Sequence, residues 1–590
     1  MGKVIFPPWA DMMRQIFRAE TISQFIIHGN VNDLVVHCED EVSKVIPLKP
    51  YLCEVMFAPF DCILSYDRGQ GIVVHKGEDY FYGFCQAVDK YLGTRYSSYP
   101  AAASSDTALS SSSLWPRAPL QALELIDRFL HSTAIRSQKG NTSSPLAVAI
   151  LIDYAQFILP RGESIHIAND IGSVLIKILR WAEDPSISGK NIITCLITEN
   201  LLDLHETICS SSYNAKIKIE LPTQTEILQY LKIIVREENS FTAFCILPVD
   251  MLALKLAGLS RINIQNTILR ALRNSTEITL KYLAKLRKET IEKEAIGKLE
   301  FIDSPHSLDD VAGHREAKQW LRDDALLMKK GAVHALPMGY LVTGRIGTGK
   351  TWLIQCFAGE CDIPFVELKN FRDKWVGTTE GNLEKIFSIL HAFGQVIVFI
   401  DEADQVTGKR DSGDGDSGLS GRIYAMLAKE MSDTRNRGKI LWIFATSRPD
   451  LLEVDLKRQG RLDVHIPLFP PEDEAEKQEL FTAMARKIGI DLKPQDLPPL
   501  PFAEPISGNE MEGLLVRAAR RYELQVEQNR QSFADILKQE VAGFIPSMHT
   551  TRIALMDLLA VKECTDKRFL PKRFALLDPV EIDKRIAEMY

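Results

Sequence analysis

The sequence lacks the features that mark disulfide-rich, zinc-binding and membrane-spanning proteins. Its ten cysteines are scattered and include no C-x-x-C pair, so we predict neither a zinc site nor a disulfide framework. No run approaches the roughly 18 uninterrupted apolar residues of a membrane span, and the N-terminus lacks the apolar segment of a secretory signal. We therefore expect a protein without a membrane span, located in a reducing compartment such as the cytoplasm.

An excess of basic charge is also missing. The 70 lysines and arginines are outnumbered by 78 aspartates and glutamates, for a formal net charge of -8. This balance gives no overall attraction to nucleic acid or to an anionic membrane. Because no basic domain or nucleic-acid reader motif is present, a nucleic-acid partner is not expected, although Lys374 and Lys409 leave a local basic contact open.

The chain of 590 residues is too long for one hydrophobic core, and ~150 residues per domain predicts two to four domains. Residues 96–119, rich in Ser, Ala and Pro, and residues 134–145 are interpreted as loops on either side of a helical segment. A charged helical run over 277–298 is followed by Pro305 and an Asp-Asp pair, which favours a domain boundary near residue 300.

Two stretches with the same pattern, VAILIDYAQF at 148–157 and VIVFIDEADQ at 396–405, indicate an internal repeat. Aligning Asp153 with Asp401 gives an offset of 248 residues. Three further pairs hold that offset within a residue: Thr198 with Thr446, Pro222 with Pro471, and Ser260 with Ser507. Unrelated α/β domains would share apolar strands and amphipathic helices but not this spacing. The sequence therefore predicts two modules, each a parallel α/β sheet with a smaller helical part at its end.

The second module contains a complete phosphate-binding motif. In GYLVTGRIGTGKTWL, a predicted strand over 339–343 precedes a G-x-x-x-x-G-K-[ST] loop that opens into a helix. The loop consists of Gly344, Arg345, Ile346, Gly347, Thr348, Gly349, Lys350 and Thr351. Glycines let the backbone curl so that successive N–H groups face a phosphate. We expect Lys350 to reach the β and γ phosphates of ATP, and the Thr351 hydroxyl to hold Mg²⁺.

A pair of acids at the end of a buried strand forms the second motif. The apolar run VIVFI delivers Asp401 and Glu402 at its carboxyl end, where ligands of open α/β sheets bind. Asp401 is predicted to orient Mg²⁺ through its water, and Glu402 to polarise the attacking water as a general base. A solvated surface turn is the alternative, which the apolar strand before the pair disfavours.

From LDDVAGHREAKQWL at 308–321 through SGNEMEGLLVRAARRY at 507–522, the chain resembles the AAA ATPases of the protein-remodelling clade. The resemblance includes nearly every motif of the family, in order. It implies an ATPase module made of a large α/β subdomain and a helical lid, with ATP and Mg²⁺ as cofactors. It also implies a homo-oligomeric ring, usually a hexamer, that acts on protein substrates.

The resemblance assigns further roles to single residues. Val311, Ala312 and Gly313 fall where the family encloses adenine. Arg458 and Arg461 fall where arginine fingers reach the nucleotide of a neighbouring subunit. A guanidinium supplied in trans stabilises charge on the transferred phosphate and makes hydrolysis depend on assembly. Two solvated arginines on a loop are the alternative.

The run KWVGTTEGNLEKIF matches the first pore loop of the family. Lys374, Trp375 and Val376 are therefore predicted to face a central channel, where an aromatic side chain grips an extended polypeptide. Tryptophan is more often a core residue, but this one lies in a polar setting. The Gly- and Asp-rich segment 409–422 is interpreted as a mobile second pore loop.

The chain departs from the family pattern at two places. Ser447 occupies a sensor position where the family usually has Asn, and its shorter hydroxyl is predicted to touch the attacking water or the γ-phosphate. Arg345 and Ile346 replace two prolines of many relatives. Because neither change removes an essential group, we expect hydrolysis to be retained.

The first module lacks the catalytic residues. Residues 1–273 contain no G-K-[ST] sequence. The repeat places four residues opposite Glu402, Ser447, Arg458 and Arg461, namely Tyr154, Glu199, Cys209 and Ser212. Tyrosine is neutral at pH 7 and takes no proton from water, so this module is interpreted as a silent AAA-like domain. A binding-only anion site at Ser65–Val74 is an alternative, and a hairpin or a strand–turn–helix connection there is favoured.

The predicted fold class is α/β: tandem P-loop NTPase modules of the AAA type, each a parallel α/β sandwich with a small helical lid, the first degenerate. The predicted domains are 1–273, the degenerate module; 274–304, a helical linker; 305–468, the large α/β subdomain; 469–547, the helical lid; and 548–590, a helical tail. Through KETIEKEAIGKLEF at 288–301 and DVAGHREAKQWL at 310–321, this plan also resembles that of AAA proteins of chloroplast genomes and cyanobacteria. That resemblance implies the plastid stroma as an alternative location.

Two functions are open at this stage. The first is a ring-forming motor that couples Mg-ATP hydrolysis to remodelling, unfolding or disassembly of protein substrates through a central pore. The alternative is a nucleotide-dependent switch or scaffold that binds partner proteins without threading them.

Overall fold

The computed structural model describes residues 6–589 except 40–41, 98–114, 139–145, 163–168, 189–190, 239–240, 246, 296–297, 362, 370–377, 408–416, 491, 494–495, 501, 503–505, 526–530 and 547–548. The chain divides into two compact units, Met1–Arg287 with Glu380–Ala392, and Lys288–Thr379 with Phe393–Tyr590. No helix among the described residues is long and apolar enough to cross a membrane.

A six-stranded sheet forms the centre of the first unit. In spatial order its strands are β5 (Gly71–Lys76), β4 (Cys62–Asp67), β6 (Val148–Ile152), β7 (Ile192–Thr198), β1 (Gln24–Gly29) and β8 (Asn214–Ile219). A separate antiparallel hairpin is formed by β2 (Leu34–Glu39) and β3 (Val42–Pro47). Alternate residues of β6 enter two separate cores, Ile150 one and Ala149 the other. The sheet is therefore covered on both faces, which accounts for the continuous apolar runs of its central strands.

The helices in the first half of the chain pack on this sheet or follow it as a helical subdomain. They are α1 (Pro8–Arg18), α2 (Leu48–Tyr51), α3 (Glu78–Leu92), α4 (Pro119–Gln138), α5 (Asn169–Glu183), α6 (Pro185–Ser188), α7 (Glu206–Ser210), α8 (Gln224–Glu237), α9 (Phe241–Phe244), α10 (Val249–Lys255) and α11 (Arg261–Arg273).

A second six-stranded sheet lies at the centre of the second unit. In spatial order its strands are β14 (Val464–Pro467), β10 (Gly339–Thr343), β13 (Ile440–Thr446), β12 (Val396–Ile400), β11 (Phe365–Leu368) and β9 (Leu299–Phe301). The remaining helices are α12 (Leu280–Glu294), α13 (Arg315–Lys329), α14 (Lys350–Glu360), α15 (Thr378–Ala392), α16 (Ala403–Thr407), α17 (Ser417–Met431), α18 (Val454–Lys457), α19 (Glu474–Lys487), α20 (Gly508–Glu523), α21 (Phe533–Ala542), α22 (Thr550–Glu563), α23 (Lys572–Ala575) and α24 (Pro579–Ala587).

The two sheets have the same strand order. The order β8, β1, β7, β6, β4 in the first corresponds to β14, β10, β13, β12, β11 in the second. The bounds of β6 and β12, and those of β7 and β13, differ by the 248 residues of the sequence repeat. Helices α11 and α20 begin after the aligned residues Ser260 and Ser507, whose hydroxyls cap them. The predicted tandem α/β modules are confirmed.

Each sheet is parallel except for one antiparallel edge strand, a detail that the predicted parallel sandwich did not include. Strand β5 runs antiparallel to β4, and β9 runs antiparallel to β11. Residues 68–70 alone join β4 to β5, and this connection is too short for the crossover that parallel strands need. The predicted loop over 134–145 is partly helical, because α4 continues to Gln138.

The helical lid and the C-terminal tail have cores of their own. Helices α19, α20 and α21 of the lid pack around Phe481, Leu514 and Ile536. The C-terminal tail, α22 to α24, packs through Leu558 and other apolar residues against Phe469. Since Phe469 closely follows β14, the tail is anchored where the chain passes from the second sheet to the lid.

Candidate functional site

The phosphate-binding motif lies between β10 and α14, at the carboxyl edge of the second sheet. Gly344 follows β10 with a φ of 142°, and a Cβ there would lie 2.3 Å from the backbone oxygen of Leu468. Gly347 and Gly349 have φ values of 82° and 83°, in the left-handed region that favours glycine. The path of this loop therefore requires its glycines.

Lys350 begins α14 and turns back over the loop. Its ammonium donates to the backbone oxygens of Gly344 and Arg345, at 2.8 and 3.1 Å, and to Ser447 Oγ at 2.9 Å. Burial lowers the pKa of Lys350 to about 8, although Asp401 and other carboxylates act to raise it. A buried cation is stabilised by a nearby anion, so the residues present fit a phosphate group next to Lys350 and Ser447.

Thr351 and Asp401 meet at the same edge. The Thr351 hydroxyl donates to Asp401 Oδ2 at 2.7 Å. Hydroxyl and carboxylate oxygens are both ligands that bind Mg²⁺. Within the described part of the chain, no group of three or more His, Cys, Asp or Glu side chains could hold a metal. The oxygen atoms of Thr351 and Asp401 fit a nucleotide-bound Mg²⁺, which takes few protein ligands.

Glu402 follows Asp401 in a left-handed turn. Its φ is 47°, its backbone N–H donates to Asp401 Oδ1 at 2.8 Å, and its carboxylate accepts from Gln405 Nε2 at 2.7 Å. Tyr154 of the first module has the same unusual conformation, with a φ of 50°. Both side chains are exposed. The repeat has therefore kept the backbone geometry of this turn while its acid is replaced by a phenol.

A cavity of about 1050 Å³ opens beside the phosphate loop. Val311, Ala312 and Gly313 line it together with Gly347–Gly349 and residues of lid helices α19 and α20. His314 lines it as well; burial lowers the pKa of His314 to about 4, so the imidazole is neutral at pH 7. The predicted adenine-binding residues and the phosphate loop thus share a single cavity of a size suited to a nucleotide.

The lid contacts the phosphate loop directly, a contact that the sequence analysis missed. The backbone N–H of Gly508, at the start of α20, donates to the backbone oxygen of Gly347 at 3.1 Å. Ser507 and Glu510 form a capping box at that helix start. In the sequence, S-x-x-E marks where a helix begins, but it does not indicate which loop the helix start meets.

The two predicted arginine fingers differ in exposure. The Arg458 side chain is 60% exposed and lies 2.9 Å from a carboxylate oxygen of Asp455. Arg461 is buried, donates to the backbone oxygen of Asp455 at 2.8 Å and pairs with its carboxylate, which lowers the pKa of the Asp455 carboxyl. Arg458 is thus accessible from outside the chain, whereas an outward contact through Arg461 requires it to release Asp455.

The predicted pore residues lie outside the described residues. Lys374, Trp375 and Val376 fall within 370–377, and most of the predicted second pore loop falls within 408–416. The end of that predicted loop is helical, since α17 begins at Ser417. The pore roles stay predictions.

The first module has a glycine in the place that corresponds to Gly344. Gly29 ends β1 with a φ of 96°, and a Cβ there would lie 2.4 Å from the backbone oxygen of Ile219. The chain then forms the β2–β3 hairpin instead of a glycine loop and a helix. Residues 65–74 belong to the antiparallel pair β4 and β5, as the favoured hairpin interpretation predicted. The degenerate loop is therefore the one after β1.

In the first module, polar side chains of the chain itself bond to one another at the place that corresponds to the nucleotide site. The buried carboxylate of Asp33 accepts from the Asn30 side chain at 2.8 Å and from the backbone N–H of Ile262, at the start of α11, at 2.9 Å. Lys49 pairs with Asp153 at 2.6 Å. An ammonium group of the chain thus contacts the carboxylate whose counterpart, Asp401, contacts Thr351 in the second module.

Family comparisons match three stretches of the chain. Residues 3–220 match the N-terminal Rossmann-like domain of AAA+ chaperones, and residues 227–296 match the second helical domain of AAA+ chaperones. Residues 340–469 match the ATPase family associated with various cellular activities (AAA). The resemblance predicted from the motifs is confirmed, and the second module contains an ATPase domain.

Individual relatives match parts of the chain. A putative ribosome biogenesis ATPase nvl of Dictyostelium discoideum is 35% identical over 159 residues, 26% of this chain and 18% of its own. A cell division cycle protein 48 homolog of Archaeoglobus fulgidus is 32% identical over 181 residues, 29% of this chain and 24% of its own. An ATP-dependent zinc metalloprotease FtsH 2 of Salinibacter ruber is 31% identical over 222 residues, 36% of this chain and 32% of its own. The chain spans about a third or less of the length of these curated relatives.

Proposed function

We propose that this chain, which joins two AAA+ chaperone domains to a C-terminal AAA domain, hydrolyses Mg-ATP in that C-terminal domain. The observation that carries the proposal is the meeting of four predicted site residues at one sheet edge. Lys350 reaches Ser447 at 2.9 Å, and Thr351 reaches Asp401 at 2.7 Å. The adjoining cavity offers room for the base and ribose of the same nucleotide.

The role of each side chain follows from its place. Lys350 and the backbone N–H groups at the start of α14 would bind phosphate oxygens. Glu402, exposed beside them, would orient the attacking water and accept its proton. Ser447 would hold the γ-phosphate or the water in position. Mg²⁺ held by Thr351 and Asp401 would supply neutralisation of charge on the phosphates.

We further propose that the active species is a homo-oligomeric ring, typically a hexamer, that remodels protein substrates. The exposed Arg458 supports assembly, because a finger accessible from outside the chain would complete the site of a neighbour. The two chaperone-type domains support a protein substrate. The first module, whose site is satisfied by its own side chains, would act as a scaffold or recruit substrate.

Replacing Lys350 with methionine should weaken nucleotide binding. The change removes the ammonium and keeps most of the apolar stem, so the phosphates lose one charge-assisted contact. We expect the dissociation constant for a fluorescent ATP analogue to rise by about tenfold or more. Lys562→Met, which removes an exposed lysine paired with Asp583, is the matched control and should bind as the wild type does. Unchanged affinity in folded Lys350→Met protein would count against the site.

The substitution Trp375→Ala separates a threading motor from a switch. If Trp375 grips a polypeptide, the variant should hydrolyse ATP at close to the wild-type rate and fail to unfold a tagged, folded test protein. An unfolding assay run beside an ATPase assay measures both quantities. Undiminished unfolding by the variant would contradict the role of Trp375 in gripping the substrate. If the wild type does not unfold the test protein, the nucleotide-dependent switch is favoured.

A further inference from the structure

One of the two residues in the phosphate loop that depart from the family pattern has a partner far along the chain. Arg345 is 5% exposed, and its guanidinium lies 3.8 Å from Asp557 Oδ2 in α22 of the C-terminal tail. Asp557 is equally buried, at 5%. The neighbouring Ile346 is 68% exposed. The loop therefore directs the charged side chain inward, onto the tail, and leaves the apolar one in solvent.

Asp557 also connects the loop to the segment that leads into the lid. Arg573 of α23 lies 3.6 Å from Asp557 Oδ2 and 2.5 Å from Glu472 Oε1. Glu472 lies between β14 and α19, two residues before the lid helix begins. Phe469 in the same segment packs on Phe574, with ring centroids 5.2 Å apart. Positive and negative side chains thus alternate from the phosphate loop through the tail to the segment between β14 and α19. This segment is called the lid hinge below.

The far end of α22 contacts the arginine-finger segment. Lys457, directly before Arg458, forms an ion pair with Glu563 and donates to the backbone oxygen of Pro449 at 2.9 Å. The backbone oxygen of Glu563 lies 2.7 Å from His465 Nδ1. One tail helix therefore touches the phosphate loop with its middle and the finger segment with its end.

We propose that the C-terminal tail is a strut that positions the nucleotide site, and that Asp557 is its positioning residue. Asp557 holds the phosphate loop through Arg345 and holds the lid hinge through Arg573 and Glu472, so the tail sets the affinity of the site for nucleotide. The predicted effect on nucleotide affinity rests on the proposed ATPase function. The contact itself is testable in nucleotide-free protein.

The test compares Asp557→Asn with Asp583→Asn in the full chain. Both variants neutralise one carboxylate of the tail; Asp583 forms an exposed pair with Lys562 at 2.6 Å and does not reach the loop. Hydrogen–deuterium exchange of residues 344–351 and 468–475 is measured without nucleotide. We expect about tenfold faster exchange in both segments of Asp557→Asn, and wild-type exchange in Asp583→Asn. The dissociation constant for the ATP analogue should rise in Asp557→Asn alone.

A double variant separates positioning from general destabilisation. If Arg345 and Asp557 act as a pair, Arg345→Met with Asp557→Asn should raise exchange no more than the larger single effect. Glu472 is partly exposed, and Glu472→Gln should raise exchange in the lid hinge. This variant provides the test if Asp557→Asn does not fold. Wild-type exchange in Asp557→Asn, or in Glu472→Gln, would overturn the strut. Altered exchange without ATP turnover by the wild type would uphold the strut and refute the proposed function.

Discussion

Replacing Glu402 with glutamine should reduce ATP turnover by about 10²- to 10⁴-fold, the range attributed to a positioned general base. An amide occupies the same space but cannot accept a proton from the attacking water. Nucleotide binding should persist, because Lys350, Thr351 and Asp401 keep their contacts. Phosphate release under single-turnover conditions, measured beside the dissociation constant, gives both results.

A second Glu→Gln variant controls for the loss of one negative charge, so that the effect of losing the general base can be measured separately. Glu540→Gln alters a lid residue whose carboxylate pairs with Arg521 at 3.3 Å, away from the cavity, and should turn over ATP as the wild type does. Turnover at the wild-type rate in purified Glu402→Gln would remove Glu402 from the catalytic role. Loss of binding in the same variant would instead assign it to nucleotide binding.

Replacing Arg458 with alanine should reduce turnover by about 10³- to 10⁵-fold with nucleotide affinity unchanged, as for arginine fingers supplied in trans. The side chain is 60% exposed and pairs with Asp455 of its own segment at 2.9 Å. Arg435→Ala is the matched control: Arg435 is also exposed and pairs with a nearby aspartate, Asp433, at 2.6 Å. It should hydrolyse ATP at the wild-type rate.

Mixing two inactive variants distinguishes a finger in trans from one in cis. A ring assembled from Arg458→Ala and Glu402→Gln chains contains sites in which one chain supplies Glu402 and its neighbour supplies Arg458. Co-assembly should therefore restore part of the turnover that each variant lacks alone. Co-assembled rings with no recovered activity would contradict a finger acting between subunits.

The sequence predicted the parts of the site whose signals are local. A G-x-x-x-x-G-K-[ST] loop after a strand, and Asp401 with Glu402 after a buried run, depend on neighbours in the chain, and the structure joins them at one sheet edge. The repeat predicted corresponding strands, and the structure adds that Tyr154 and Glu402 share a left-handed turn.

The contacts that the sequence analysis missed join residues far apart in the chain. Gly347 meets Gly508 across the lid, and Arg345 meets Asp557 across the tail. Nothing in the composition near either residue indicates its partner, because a single polar residue or helix start is compatible with many docking sites. Arg345 was visible only as a departure from the family pattern. Its burial against the tail gives that departure a physical reason.

The first module shows the same limit. Its missing lysine and acid were evident from the sequence, but the position of its degenerate loop was not. That position became clear from β1, which occupies the place of β10 in the strand order. The internal pair of Lys49 and Asp153 at 2.6 Å had no motif to mark it, since the two residues belong to different elements.

The number of ATP molecules bound per chain shows whether one module or both bind nucleotide. We propose that the second module binds and hydrolyses nucleotide, while the first keeps the fold without the chemistry. Equilibrium dialysis of Glu402→Gln protein with radiolabelled ATP and Mg²⁺ should give one ATP per chain, and Lys350→Met introduced into the same protein should remove it. Two ATP per chain, or binding that survives Lys350→Met, would contradict the account.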